Sequence, residues 1–487
     1  MADASPYDAV PYPGRAFVQT HPDRLATLAA LFGIDAPPPG DCDVLELGCG
    51  AGGNLLPMAV ALPGSRFVGI DSSRHAIRRA QALSDELGLT NVSFEQVAIE
   101  DHVPAGGVDY VIAHGVFSWV PAEVRERLLA LCASSLSPHG VAYVSYNALP
   151  GGHPRRALRE MLAYHVDAIE RPEDRMTAAR GFLRLLGAAA EADGDLARTL
   201  GPEARRLSEQ VDALLFHDTL AEVNHPLYFH EFVAQAGAHG LRYLTEAEFS
   251  ETQIGALPEQ LQGALLTISD PVRREQYLDF LKERMFRQTL LVHETTELVR
   301  TPQPQRLAAL AVSGPLRWGV AEDTGRTTFT GPGGAHLTTD HPLVTAVLQK
   351  IGDAWPAAPW IADLARSEQE LPAICDALLR CFAANLVRLH VHPPRLSTTV
   401  GERPRVSALA RLEAARGEML TTARHTAIRL DDELGQRLVM LLDGTRDRAA
   451  LLDALESDAQ ISRDELAAGL EQSLRRLAGA GLLLADA

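Results

Sequence analysis

The chemistry of this chain is most legible between residues 44 and 54, where Val44-Leu45-Glu46-Leu47 runs into Gly48-Cys49-Gly50-Ala51-Gly52-Gly53-Asn54. Glu46 closes a short apolar run, and Gly48, Gly50 and Gly52 follow at a turn into a helix. Small residues there let backbone amides approach a ligand closely. This is a loop for a nucleotide-like ligand. Glycine turns also occur as purely structural devices, and dinucleotide-binding loops place Gly-x-Gly-x-x-Gly at the same point, so the loop alone leaves the ligand open. Two further acidic positions narrow the choice. Asp71 ends Phe67-Val68-Gly69-Ile70-Asp71 about 20 residues on, where a carboxylate can accept both ribose hydroxyl protons. Taken alone, an Asp at a strand end is more often a helix N-cap, a role that Asp71 or Ser72 could fill as well. Ala98-Ile99-Glu100-Asp101 follows a third apolar run. Three acidic strand ends around one glycine loop are hard to explain as surface decoration.

Residues placed this way need a parallel sheet behind them. Short apolar runs predict strands at Val44–Leu47, Arg66–Ile70, Val92–Val97, Tyr110–Ala113 and Val141–Ser145, and Gly53–Leu62, Ser73–Leu87 and Ala122–Leu136 read as helices between them. That order predicts an α/β domain whose ligands sit at the carboxyl ends of the strands. After Pro150-Gly151-Gly152 the pattern turns Ala/Leu/Arg-rich and helical to about residue 220. A helix at Phe232–Gly240 and apolar strands at Leu241–Leu244 and Arg287–His293 would then complete the first sheet. The expected division is therefore a catalytic domain over 1–151 and 228–297, a helical insertion over 152–227, a middle domain over 298–400 and a C-terminal domain over 401–487. The last two read as mostly helical units closed by short strands, winged-helix-like in order.

Bulk composition sets the outer limits. With 46% apolar and 22% charged residues the chain is expected to fold throughout. A formal charge of −18 opposes binding to phosphate backbones, which draws on Lys and Arg, so nucleic acid is not an expected partner. The five cysteines (42, 49, 132, 375 and 381) lack paired short spacings, which indicates neither a disulfide framework nor a metal site. No run of 18 apolar residues and no leader-like start appears, so a membrane span is not expected and the default location is cytoplasmic.

The pattern Glu46-x-Gly48-x-Gly50-x-Gly52-x-Asn54 resembles the class I S-adenosylmethionine-dependent methyltransferases rather than the dehydrogenases. The resemblance implies S-adenosylmethionine as cofactor, with Glu46 orienting the loop near the methionine ammonium and Gly48, Cys49, Gly50, Gly52 and Asn54 lining the amino-acid moiety. Asp71 and Ser72 then lie at the ribose, and Ile99 with Glu100 or Asp101 at the adenine. The likeness narrows with Tyr7-x₄-Tyr12-Pro13, Thr20-His21-Pro22, His114–Pro121 and Val144–Asn147 to the subgroup that carries a methyltransferase regulatory domain, and Asn224–Phe232, Gln276–Phe280 and Phe286–Leu291 are similar to that domain. Rickettsial-type protein-lysine methyltransferases belong to the subgroup. Gly50, where many relatives carry Ala, and Gly152, where an aromatic residue is common, depart from its pattern.

That resemblance implies a Rossmann-like class I sheet and direct in-line methyl transfer, for which the protein aligns a nucleophile and excludes water. Trp119, Tyr146 and Tyr228 are expected to wall the acceptor with Asn147 beside them, although each aromatic reads equally well as core. Tyr146, Asn147 or His114 would accept a hydrogen bond or proton, with His114 also near the cofactor and Tyr7 and Tyr12 folding over it. The expected acceptor is a protein lysine. A small-molecule acceptor and a non-catalytic cofactor-binding interaction protein are the alternatives, and the inserted helices offer a surface for a homodimer.

Overall fold

The computed structural model describes residues 14–104, 106–189, 195–321, 325–456 and 463–485. Strand alternation decides how its first part folds. The strands are β1 (Asp43–Leu47), β2 (Arg66–Asp71), β3 (Val92–Gln96), β4 (Val108–Ala113), β5 (Leu136–Asn147), β6 (Leu241–Glu246) and β7 (Phe286–His293). Tyr110 and Ile112 of β4, like Val141 and Tyr143 of β5, enter one apolar cluster, while Val111, Ala113, Ala142 and Val144 enter another. Both faces of the sheet are buried, which is why these strands read as unbroken apolar runs.

The seven strands pair in the order β3-β2-β1-β4-β5-β7-β6. The first five are mutually parallel, and β7 runs antiparallel between β5 and β6. All five strands expected in residues 41–147 form. β5 is longer than expected and reaches Asn147, which carries the strand end to the site. One expectation is corrected: the helix Arg74–Glu86 is capped by Ser73, whose hydroxyl accepts from the Ala76 amide at 3.1 Å, and not by Asp71 or Ser72.

Between β5 and β6 the chain leaves the sheet through helices His153–Val166, Pro172–Ala189 and Asp195–Ser208. Leu158, Leu162, Val166, Leu183 and Leu207 give this insertion an apolar cluster of its own. The stretch after β7 behaves differently, because Leu307, Val312, Phe329, Ile351 and Phe382 join the cluster under one face of the main sheet. There the strand Ala311–Ser313 pairs with Arg388–His390. The C-terminal unit holds helices Ala408–Ala415, Glu433–Leu441, Arg448–Glu456 and Arg463–Gly479 around a separate apolar cluster, with a two-stranded hairpin of Leu420–Thr421 and Ala427–Ile428. No helix among the described residues is long and apolar enough to cross a membrane.

Candidate active site

The glycine loop turns over the end of β2. Amides of Gly48 and Cys49 donate to the Ile70 carbonyl at 2.8 and 3.0 Å, and the Gly50 amide donates to Asp71 Oδ2 at 2.9 Å. Asp71 Oδ1 accepts from the Ser73 amide at 2.8 Å, so this carboxylate ties the loop to the helix that follows β2. Gly48, Gly50 and Gly52 all have φ in the left-handed region, at 75°, 53° and 74°. At Gly48 the close approach matters as much as the angle, since a Cβ would lie 2.5 Å from Val116 Cγ2. Cys49 contributes backbone: a Cβ on Gly69 would sit 2.8 Å from its Sγ, so the thiol packs over β2.

Glu46 lies at the centre, 4% exposed. Its Oε1 accepts from Asn54 Nδ2 at 2.8 Å, and its buried Oε2 has no hydrogen-bond partner. Burial pushes this carboxyl up to about 8, against the lowering effect of Asn54, with the charge of Asp71 adding to the rise. A buried acceptor oxygen without a donor calls for one. The α-ammonium of S-adenosylmethionine is such a donor, so the residues present fit the cofactor the sequence implies. Asn54 is held by the segment before the first long helix: its Oδ1 accepts from the Phe17 amide at 3.1 Å and its Nδ2 donates to Thr20 Oγ1 at 2.9 Å. Gly53 lets that segment lie on the loop, because a Cβ there would be 2.6 Å from the Gly14 carbonyl carbon.

The ends of β4 and β5 are stitched by hydroxyls. Ser145 Oγ accepts from the Gly115 amide and Ser118 Oγ from the Asn147 amide, both at 2.8 Å. His114 Nδ1 lies 2.9 Å from the Tyr143 hydroxyl, and Phe17 covers the imidazole at 3.9 Å between centroids. Burial, with Arg15 nearby, lowers His114 to about 4, so it is neutral near pH 7 and weak as a base. Asn147 Nδ2 donates to Asn224 Oδ1 at 3.2 Å, and both residues line an open cleft of about 330 Å³ shared with Gly152, Arg155, Arg156 and Arg159.

Of the three aromatics expected to wall the acceptor, Tyr146 packs into the core. Tyr146 is 1% exposed and stacks on Phe232 at 4.1 Å, with Thr289 Oγ1 donating to its hydroxyl at 3.4 Å. Burial holds its phenol well above the ordinary range, so Tyr146 is a core residue and not a proton acceptor. Trp119 carries the Arg159 guanidinium over its ring at 5.6 Å, and Tyr228 stacks with His230 at 5.8 Å. Ser72, just after β2, is exposed; after β3, Ile99 is buried while Glu100 and Asp101 are exposed. Tyr7 and Tyr12 lie outside the described residues. Sequence reasoning gave no role to Phe17, Ser118, Ser145 and Asn224; Ser118, Ser145 and Asn224 sit within motifs already singled out, and Ser145 was legible as a polar residue in an apolar strand end.

Three family models match successive stretches of the chain: a methyltransferase domain over residues 40–164, a predicted methyltransferase regulatory domain over 211–293, and a PKMT C-terminal winged helix domain over 402–473. The uncharacterized protein RP789 of Rickettsia prowazekii is 42% identical over 302 residues, which is 62% of this chain and 55% of that protein. The match thus spans about half the length of that relative. A second uncharacterized protein of the same organism, RP028, is 34% identical over 47% of this chain and 93% of its own length. The structure of PKMT2 from Rickettsia typhi in complex with AdoHcy aligns with a TM-score of 0.87 at 25% identity, covering 97% of this chain and 100% of that one. A glycine loop with an acidic strand end, a β7 reversed between β5 and β6, and matches running from the sheet to the winged helix lead to one statement: the chain belongs to the class I S-adenosylmethionine-dependent methyltransferases that carry a methyltransferase regulatory domain.

Proposed function

We propose that the protein methylates a lysine side chain of a protein substrate. The observation that carries the cofactor half is the unpartnered, buried Glu46 Oε2 beside the glycine loop. The acceptor half is supported by likeness to PKMT2 along 97% of this chain, C-terminal unit included. S-adenosylmethionine supplies an electrophilic methyl group on a sulfonium. The chain's own residues bind, orient and exclude water: Glu46 takes the ammonium, Asp71 the ribose hydroxyls, and neutral His114 under Phe17 adds no positive charge against the sulfonium. Asn147, held by Ser118 and Asn224, presents an amide oxygen at the cleft to orient an amine. The amine must arrive neutral and sheds its remaining proton to water after the N–C bond forms and the C–S bond breaks.

Asp71→Ala tests the cofactor half. It removes the carboxylate expected to accept from both ribose hydroxyls, so affinity for S-adenosylhomocysteine should fall about 100-fold by calorimetry, from two charge-assisted hydrogen bonds at about 1.5 kcal/mol each. An unchanged affinity would remove Asp71 from the site.

A small anionic acceptor is the second reading. It is favoured by Arg155, Arg156 and Arg159 around the cleft and by the missing side chain at Gly152. Incubating the full chain with methyl-labelled cofactor and cell lysate separates the readings. Label on protein lysines, located by mass spectrometry, supports the proposal. Label confined to small molecules selects the second reading, and cofactor binding without any transfer leaves a cofactor-binding interaction protein.

A further inference from the structure

We propose that the C-terminal unit completes the cofactor site through His425, a positioning residue that fixes the Asn54 amide and, through it, the Glu46 carboxylate. The inference rests on the cofactor half of the proposed function and is independent of the acceptor. His425 lies in the turn of the two-stranded hairpin, 371 residues from Asn54, yet its Nε2 is 2.8 Å from Asn54 Oδ1 and the side chain is buried.

The roles in this network are fixed by its one obligatory donor. The Phe17 amide can only donate, so the Asn54 atom facing it is the oxygen, and His425 must donate to that oxygen from Nε2. The Asn54 nitrogen is left with two protons and two acceptors, Glu46 Oε1 at 2.8 Å and Thr20 Oγ1 at 2.9 Å. Thr20 in turn donates to the Phe17 carbonyl at 2.8 Å. Every polar atom of Asn54 is therefore committed, and the one group in the chain of contacts with a free lone-pair face is Glu46 Oε2. A fully satisfied amide cannot rotate without breaking buried hydrogen bonds, and this holds the carboxylate's second oxygen toward the glycine loop.

The turn that delivers His425 is itself anchored. His425 has φ of 57°, a backbone strain for a non-glycine residue that the hairpin sustains: the Thr422 amide donates to the Thr426 carbonyl at 2.8 Å and the His425 amide to the Thr422 carbonyl at 3.0 Å. Next to it, buried Arg424 lies over the Trp355 ring at 3.6 Å and donates to the Pro356 carbonyl, fastening the turn to the middle of the chain. Arg416 pairs with Glu86 on the helix after β2, so the C-terminal unit also grips the element that Asp71 tethers to the loop. Among the described residues, no hydrogen bond or ion pair runs from His425, Asn54 or Glu46 to a residue lining the cleft. The output of this network is the orientation of the amino-acid end of the cofactor.

The test uses the full chain and two ligands that share the nucleoside: S-adenosylhomocysteine, which has the amino-acid end, and 5′-methylthioadenosine, which lacks it. His425→Ala and the space-filling His425→Phe should each weaken S-adenosylhomocysteine about 10-fold, the worth of one buried hydrogen bond, and leave 5′-methylthioadenosine within about twofold of the parent. His425→Gln restores an N–H donor and should recover most of the loss. Equal weakening of both ligands, or no weakening of either in a folded variant, would overturn the proposal. A parent protein that binds neither ligand would overturn the cofactor reading beneath it.

Discussion

Glu46→Gln is expected to stabilise the ligand-free protein above pH 8 while removing its capacity to bind S-adenosylhomocysteine. Burial raises the Glu46 carboxyl from its ordinary value of 4.5 to about 8. Folding therefore favours the protonated form: the contribution is fully present below about 4.5 and is lost as pH rises through about 8. A shift of that size corresponds to about 5 kcal/mol lost across the window. Glutamine mimics the protonated state, keeping an oxygen for Asn54 Nδ2, and places two N–H donors where Oε2 has no partner, at a cost of about 1 kcal/mol or more. The variant should thus unfold later than the parent at pH 8.5 and somewhat earlier at pH 4.5. Binding moves the opposite way. An ammonium beside Oε2 would return the carboxyl to its ionised form, so parent affinity should strengthen as pH rises toward 8, and the variant should show neither that trend nor measurable affinity, a loss of at least about 100-fold. A variant that binds like the parent would show that Glu46 does not hold the ligand, and two stability profiles that run parallel from pH 4.5 to 8.5 would show that burial does not hold its carboxyl up.

How far the chain could be read in advance follows from the range of each signal. The glycine loop, Asp71 and the apolar strands are local patterns, and they fold where they were expected because both sheet faces are buried and the alternation needed no partner to identify. Tyr146 shows a local signal that was available and outweighed. It stands two residues beyond Val144 and four beyond Ala142, and this parity puts it on the face covered by Phe232. Its hydroxyl suggested chemistry; its position in the pleat dictated packing. Asn147, one residue on, takes the other parity and reaches the cleft. His425 had no signal at all in its neighbourhood, because its role depends on a contact that spans 371 residues. Arg287 was hidden in another way: an arginine opening an apolar strand reads as its solvated end, and only the packing of two helices against that end makes it a buried charge.

Arg287→Met is expected to cost about 3–5 kcal/mol of stability near pH 7, the range for removing one partner from a buried ionic cluster. Arg287 is 1% exposed and lies over the Phe229 ring at 3.7 Å. It donates to Asp279 through Nε at 2.8 Å, to Glu246 through Nη1 at 2.5 Å and to Glu275 through Nη2 at 3.0 Å. Methionine would fill much of the space but leave three carboxylates facing one another, with Arg284 against Asp279 at 3.1 Å as the remaining close cation. Burial already raises Glu275 and Asp279, against the lowering effect of the arginines, so with Arg287 gone they should protonate more readily. The deficit should then shrink as pH falls toward 5, and Asp279→Asn added to Arg287→Met should recover part of it in a double-mutant cycle. A deficit that is the same at pH 5 and pH 8 would mean that lost packing, not stranded charge, accounts for it. The functional consequence is directional. Arg287 sits opposite Tyr146, and Phe286 opposite Asn147, in the antiparallel pairing of β7 with β5. The glycine loop leaves β1, separated from β7 by β4 and β5. Loosening β7 therefore releases the strand end that carries Asn147 before it reaches the loop that carries the cofactor, and a folded Arg287→Met protein should bind S-adenosylhomocysteine within about threefold of the parent while its KM for the acceptor rises.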